Sequence, residues 1–341
     1  MRLQTKLLLG LVGGGAALYG LRSLLRSRRA IGLAGRVVVV TGASSGLGLI
    51  VARQAARQGA RLVIASRDAA ALERAAEDLR HSGSPEVVVV PTDVSNRDES
   101  DALIARAIEV FGRIEVLVNV AGIMLVGPIE TLDPGDYERV MATNFWGQVY
   151  PTLAAIPHMK RQGEGRIGNV VSVGGKVAVP HMLAYSASKF ALAGFSEGLR
   201  AELVKDNIFL TAIYPGTIRT GGHRHAEVKG DREAEYSWFA LSDTIPGLST
   251  SAEACGEALW DAVKHGEPER VVGLNAKLAT GFHDFFPEWN AEVMAVVAAS
   301  LPQSGGEGAE PVPGAEIGGK VAEFVNRVIP AGTLPGTASH A

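Results

Sequence analysis

One cysteine, Cys255, stands in 341 residues, so neither an intrachain disulfide nor a thiolate zinc cluster is available. The eight histidines show no His-Glu-x-x-His or comparable ligand spacing, and no metal site is assigned. Aromatic residues make up only 6%, and the Lys and Arg side chains gather on no single stretch of the body, which argues against a nucleic-acid partner. Acidic residues are missing from 1–29, where six Lys or Arg stand; the rest of the chain holds 27 basic against 36 acidic residues. The body is acidic and the N-terminus basic. With 47% hydrophobic residues the chain has enough apolar material for one large core, and disorder is expected only at the ends.

The N-terminus holds an uncharged run from Leu7 to Leu21, bounded by Lys6 and Arg22 and followed by Arg26, Arg28 and Arg29. Its length corresponds to about 22 Å of helix, short of a hydrocarbon core of about 30 Å unless the flanking cations snorkel. A secretory signal peptide is the rival reading, with Gly15-Ala16-Ala17 as a small-residue cleavage site. The arginines that follow oppose export. They favour an uncleaved anchor or interfacial helix with the body on the cytoplasmic side.

After a short linker, Arg36-Val-Val-Val-Val-Thr41 reads as a buried strand, Gly42-Ala-Ser44-Ser45-Gly46-Leu47-Gly48 as a tight turn, and the residues from Leu49 as a helix. A glycine-rich turn between strand and helix lets the backbone approach a pyrophosphate, which the free N–H groups at the helix start then hold. Arg61 to Ser66 is a second strand. At its end an acid would take the ribose hydroxyls of NAD, whereas Ser66 and Arg67 suit the 2′-phosphate of NADP. NADP(H) is therefore preferred over NAD(H).

Strands and helices then alternate: a helix over 69–80, a strand over 86–91 ending at Asp93-Val94, a helix over 98–111, and a strand over 114–118 running into Asn119-Val-Ala121-Gly122. This alternation predicts an α/β fold, a doubly wound parallel sheet of about seven strands with ligands at the carboxyl ends. Asp133-Pro134 reads as an N-cap and first turn, and Pro151 and Pro157 are expected to kink or end the helix that follows. Asn144 on that helix, among apolar neighbours, suits either a hydrogen bond to the backbone or a place in a site. A fifth strand ends at Ser172, and Gly168 is expected to weaken it. A sixth, over 207–214, leads into Pro215-Gly216 and Thr220.

Between these two strands Tyr185 and Lys189 lie four apart at the start of a helical run, on one face. An adjacent ammonium stabilises a phenolate, so Tyr185 becomes a general acid or base near neutrality. Alone such a pair is common on helix surfaces. Thr41-Gly-x-x-x-Gly46-x-Gly48, Asp93, Asn119-x-Ala-Gly122, Asn144, Ser172, Tyr185-x-x-x-Lys189 and Pro215-Gly216 together resemble the short-chain dehydrogenase/reductase family, over about residues 33–275.

The resemblance implies a Rossmann-like domain in which Tyr185 exchanges the proton on the substrate oxygen and Ser172 hydrogen-bonds it. Lys189 would lower the phenol pKa and hold the nicotinamide ribose, and Asn144 would hold a water in a proton relay. Thr41, Gly42, Ser44, Ser45, Gly46, Leu47, Gly48, Ser66, Arg67, Asp93, Val94, Asn119, Ala121, Gly122, Pro215, Gly216 and Thr220 would line the cofactor site, together with Tyr185 and Lys189. Val120 and Val171 depart from the family pattern without touching a reacting group.

Residues 221–250 would form a substrate lid, where Tyr236, Trp238, Phe239 and Leu241 suggest an apolar substrate and His223 and His225 read as solvated. The domain plan is an anchor over 1–29, the catalytic domain over 33–275, an apolar helical extension over 276–301 and a loose Gly/Pro-rich tail over 302–341, with one short helix possible near 321–329. The function expected is interconversion of a carbonyl and an alcohol on a small, apolar or lipid-like molecule, in a homo-oligomer. A non-catalytic NADP-binding scaffold, or an isomerase or dehydratase with the same four residues, stays open.

Overall fold

A computed structural model describes residues 19–244, 249–302 and 310–319. Most of the N-terminal apolar run and the helix read near 321–329 lie outside them. A first helix, α1, covers 19–29. Then follow β1 (Val37–Thr41), α2 (Gly46–Ala56), β2 (Arg61–Ser66), α3 (Ala69–His81), β3 (Val87–Pro91), α4 (Arg97–Phe111) and β4 (Val116–Asn119). The middle of the chain supplies β5 (Leu125–Val126), α5 (Pro134–Met141), α6 (Gly147–Gln162), β6 (Gly165–Val170), α7 (Leu183–Leu203) and β7 (Ile208–Pro215). Beyond it come β8 (Ile218–Arg219), β9 (Glu227–Val228), α8 (Arg232–Thr244), β10 (Thr250–Ser251), α9 (Ala252–Lys264) and β11 (Glu269–Val272). The last elements are α10 (Leu274–Phe285), α11 (Pro287–Ser300) and β12 (Val312–Pro313).

Seven strands form one parallel sheet in the order β11-β7-β6-β4-β1-β2-β3. Side chains alternate across it. Val38 and Val40 of β1 pack with α2, α3 and α9 through Leu49, Leu72 and Leu259, whereas Val37 and Val39 pack with α4, α6 and α7 through Leu103, Met159 and Leu203. Both faces are covered, which is why these strands are unbroken apolar runs. The chain winds outward from β1 to β3 and returns to β4 on the other side of β1, opening a crevice at the carboxyl ends of β1 and β4.

Local chemistry sets the helix boundaries. Asp133 accepts from the N–H groups of Gly135 and Asp136, while Asp136 accepts from the Asp133 N–H, a reciprocal cap at the start of α5. Neither Pro151 nor Pro157 ends α6. The irregularity lies earlier, in a π turn over Ala142–Trp146 that joins α5 to α6 and carries Asn144. Nor is β6 interrupted at Gly168: a side chain there would come within 2.9 Å of Val263 Cγ2, so the valine of α9 fills the space and the strand stays buried.

Two segments near the termini dock onto the body, one read in the sequence as part of an anchor and the other as a loose tail. Arg26 of α1 pairs with Glu267 and with Asp261 at 2.5 Å, and the Arg29 guanidinium lies 4.7 Å from the Phe209 ring centre. These arginines are held by the body, below the amino ends of β7 and β11. At the other terminus, β12 pairs antiparallel with β9, which pairs with β5 in a second, small sheet. The stretch 310–319 is thus a strap and not a free linker. The helices α10 and α11 form the apolar extension, with Phe285, Trp289 and Val296 exposed. No helix among the described residues is long and apolar enough to cross a membrane.

Candidate active site

The crevice continues into a cavity of about 1180 Å³, running from Arg67, Asp68 and Arg74 past the glycine-rich turn to Tyr185, Trp238 and Phe239. Two glycines make the turn possible. A Cβ on Gly42, at φ +69°, would stand 2.8 Å from the Ala121 nitrogen, and one on Gly48 would stand 2.1 Å from the Gly42 oxygen. The turn, the start of α2 and the end of β4 therefore close on one another, and Ser45, Gly46, Leu47 and Gly48 at the helix start line the cavity.

Ser44, Ser45, Gly46, Leu47 and Gly48 line the cavity with Ser66, Arg67, Asp93, Val94, Ala121, Gly122, Pro215, Gly216 and Thr220, as the sequence reading placed them. Thr41 and Asn119 do not. Both are fully buried behind its wall: Thr41 Oγ1 accepts from the Val120 N–H at 3.1 Å, and Asn119 donates to Asn169 and to Thr152 at 2.9 Å each. They hold the floor of the site without touching its space. The two branches of a buried polar group, partnered by backbone or by ligand, are indistinguishable in sequence.

At the β2 end, the buried Ser66 hydroxyl has no hydrogen-bond partner, and Arg67 makes no ion pair among the described residues. Asp68 is occupied, accepting from the Ala71 N–H as the cap of α3. Arg74 and Arg53 also line this end. Sequence reasoning missed them because nothing in the α2 and α3 periodicity marks which charged residues face the crevice.

Tyr185, Lys189 and Ser172 converge at the other end. Tyr185 and Lys189 share a face of α7, with Lys189 Nζ 5.7 Å from the phenol ring centre. The amine is buried and donates to the Val170 carbonyl at 3.0 Å, and desolvation pushes its pKa down to about 7. A hydroxyl or anionic ligand beside it would raise that value again. Ser172 sits at φ 125°, a conformation that L residues rarely adopt, with its Oγ accepting from the Gly174 N–H at 3.1 Å. Gly174 separates Ser172 from Tyr185: a Cβ there would be 3.1 Å from the phenol ring and 3.5 Å from Ser172 Oγ.

Asn144 is placed behind this group. Its Oδ1 accepts from the Ile123 N–H at 2.8 Å and its amide donates to the Ile123 carbonyl and Ser188 Oγ, at 3.0 and 3.1 Å. The side chain pins the strand end that carries Gly122, whose absent Cβ would lie 3.0 Å from Asn144 Oδ1 and 3.7 Å from Lys189 Nζ.

His223 corrects the reading of the lid. It is fully buried, 6.0 Å from the Tyr236 ring centre, and burial pushes its pKa down to about 4, so it is neutral and not solvated. His225 is exposed and lines the cavity. Pro313 of the strap also contributes to the lining, a residue with no signal in the composition of the tail.

The fold and this arrangement define a dinucleotide-dependent oxidoreductase. The model of the short chain dehydrogenase family matches residues 36–229. An uncharacterized oxidoreductase of Bacillus subtilis is 34% identical over 262 residues, spanning 76% of this chain and 71% of its own. An 11-beta-hydroxysteroid dehydrogenase A of Arachis hypogaea is 41% identical over 280 residues, or 80% and 79% of the two chains. The crystal structure of a short chain dehydrogenase/reductase from Burkholderia phymatum in complex with NAD superposes with a TM-score of 0.70 at 26% identity, covering 76% of this chain and 96% of that one. The chain belongs to the short-chain dehydrogenase/reductase family, whose members use NAD or NADP.

Proposed function

We propose that this protein is an NADP(H)-dependent reductase or dehydrogenase that interconverts an apolar ketone and its secondary alcohol. The observation that carries this reading is the meeting of Tyr185, Ser172 and Lys189 on one wall of a cavity whose lining at that end includes the apolar side chains of Met124, Val179, Met182, Trp238 and Phe239. The preference for NADP rests on the free Ser66 hydroxyl and on Arg67. An apolar substrate fits the lining and the name of the Arachis hypogaea relative.

The bound dinucleotide supplies the hydride acceptor or donor. The turn 42–48 would hold its pyrophosphate on backbone N–H groups, and Arg67 with Ser66 would take the 2′-phosphate. In the reducing direction the Tyr185 phenol gives its proton to the substrate oxygen while Ser172 Oγ–H donates to the same oxygen. Lys189, recharged beside the ribose hydroxyls, stabilises the phenolate that remains. Asn144 positions Gly122 and the lysine, and a relay water beside it would return the proton.

Turnover of steroid ketones, long-chain 3-keto compounds and small aldehydes with NADPH tests this. Tyr185→Phe should lower kcat by about 10²–10⁴-fold with NADPH affinity unchanged. Tight NADPH binding without turnover of any carbonyl compound, or full activity in the variant, refutes it. This proposal includes a membrane contact through 7–21 and assembly with a second copy. Exposed Tyr19, Leu21 and Leu24 on α1 and the bare face of α10 and α11 support both. Resistance of the sedimented protein to carbonate extraction, and its mass in mild detergent, check them.

A further inference from the structure

The lid helix α8 carries a carboxylate that the mechanism does not use. Glu235 is fully buried and both of its oxygens are engaged. Oε2 accepts from the Trp238 indole N–H at 2.7 Å, and Oε1 lies 2.8 Å from His181 Nδ1, with one proton on that contact. Glu235 and Trp238 are three apart on one face of α8, so the carboxylate fixes the rotamer of the indole as well as the tilt of the helix. His181 belongs to a different element. It stands at φ +60° in the turn that leads into α7, four residues before Tyr185, and its carbonyl accepts from the Gly127 N–H at 2.8 Å.

Trp238 lines the cavity and packs with Phe239, Met182, Val179 and Tyr185 in one apolar cluster. We propose that Glu235 is a positioning residue that latches the lid helix to the turn bearing His181, and that Trp238, held by it, is the residue that selects large apolar substrates. A carboxylate buried for shape alone would be a poor choice. Its desolvation raises its pKa, the Asp231 carboxylate adds to that, and only the His181 and Trp238 contacts offset it. Removing the carboxylate frees the indole directly, and removing His181 frees the helix turn that carries both Glu235 and Trp238, so in either case the indole can swing from the cavity wall.

The substrate half of this proposal rests on the reductase reading, and the test separates the two. Acrylamide quenching of tryptophan emission is measured in the ligand-free full chain, with Trp238→Phe identifying the contribution of Trp238. In Glu235→Ala the quenching constant of Trp238 should rise at least twofold, and in His181→Ala likewise. In turnover, Glu235→Ala should raise KM for a steroid-sized ketone about tenfold with kcat falling less than threefold, while KM for a small aldehyde moves less than threefold. Trp238→Phe, which removes the indole N–H and keeps an aromatic ring, should shift the same ratio in the same direction and remains informative if Glu235→Ala does not fold. Unchanged Trp238 quenching in the folded Glu235 and His181 variants overturns the latch. Equal rises in KM for both substrates overturn the selectivity role. If no carbonyl compound is turned over by the native protein, the reductase reading fails while the quenching experiment still decides the latch.

Discussion

Replacing Lys189 by Met should make the ligand-free protein more stable at neutral and acid pH while abolishing its activity. The amine is buried without a carboxylate partner, and its pKa falls from 10.5 to about 7. Between those values the unfolded chain holds a proton that the folded chain has released. Stability therefore rises as pH climbs from about 7 to about 10.5, and the cost of the buried amine is fully present below pH 7 and gone above 10.5. The interval corresponds to an order-of-magnitude cost of about 5 kcal/mol at low pH. The thioether fills a similar volume and needs no proton. The hydrogen bond it gives up contributes about 1 kcal/mol, and the Val170 carbonyl keeps a donor, Gln148 Nε2 at 3.1 Å. A net gain of roughly 2–4 kcal/mol at pH 6 follows, shrinking toward zero or reversing by pH 10. Urea unfolding of the ligand-free native protein and Lys189→Met at pH 6, 8 and 10 measures it. A variant less stable at pH 6, or a difference that does not change with pH, would refute the reasoning, since either means that the amine keeps its proton in the fold.

Two further outcomes follow from the ends of the cavity. Arg67→Ala should weaken NADPH binding by about 10–100-fold, the loss of a charge-assisted contact, and leave NADH within about threefold; isothermal titration with both cofactors checks this, and equal losses would remove the basis for NADP preference. A chain ending at 309 lacks the strap that covers Tyr236, which is only 1% exposed, and contributes Ile317 to the same apolar cluster. Uncovering those side chains should cost about 2–4 kcal/mol in urea unfolding and raise KM for an apolar ketone, and an unchanged midpoint would show that the strap does not hold the lid.

Much of the site was legible because its residues act through backbone geometry or sit at element ends. The 42–48 turn could be read since only glycines tolerate the approaches to Ala121 and to the Gly42 carbonyl. Tyr185 and Lys189 could be read because a spacing of four on a helix is a spatial statement. Asn119, Thr41 and Asn144 were legible as important polar residues and not as what they do. Each is buried with its hydrogen bonds made to groups far away in sequence, and a local window carries no trace of those partners.

The apolar runs, turns and period of helices and strands determined by themselves the doubly wound parallel sheet, the crevice at its carboxyl ends and the shared helix face of Tyr185 and Lys189. These follow from short-range sterics and from the need to cover both faces of a parallel sheet. Only the tertiary structure decided that the arginines of α1 are clasped by Glu267 and Asp261, that His223 is buried and neutral, that Pro313 walls the cavity and that Glu235 joins His181 to Trp238. Each of these depends on segments tens to hundreds of residues apart meeting in the fold, where burial sets the charge of a histidine and a distant histidine joins a neighbouring indole in deciding how a carboxylate is used.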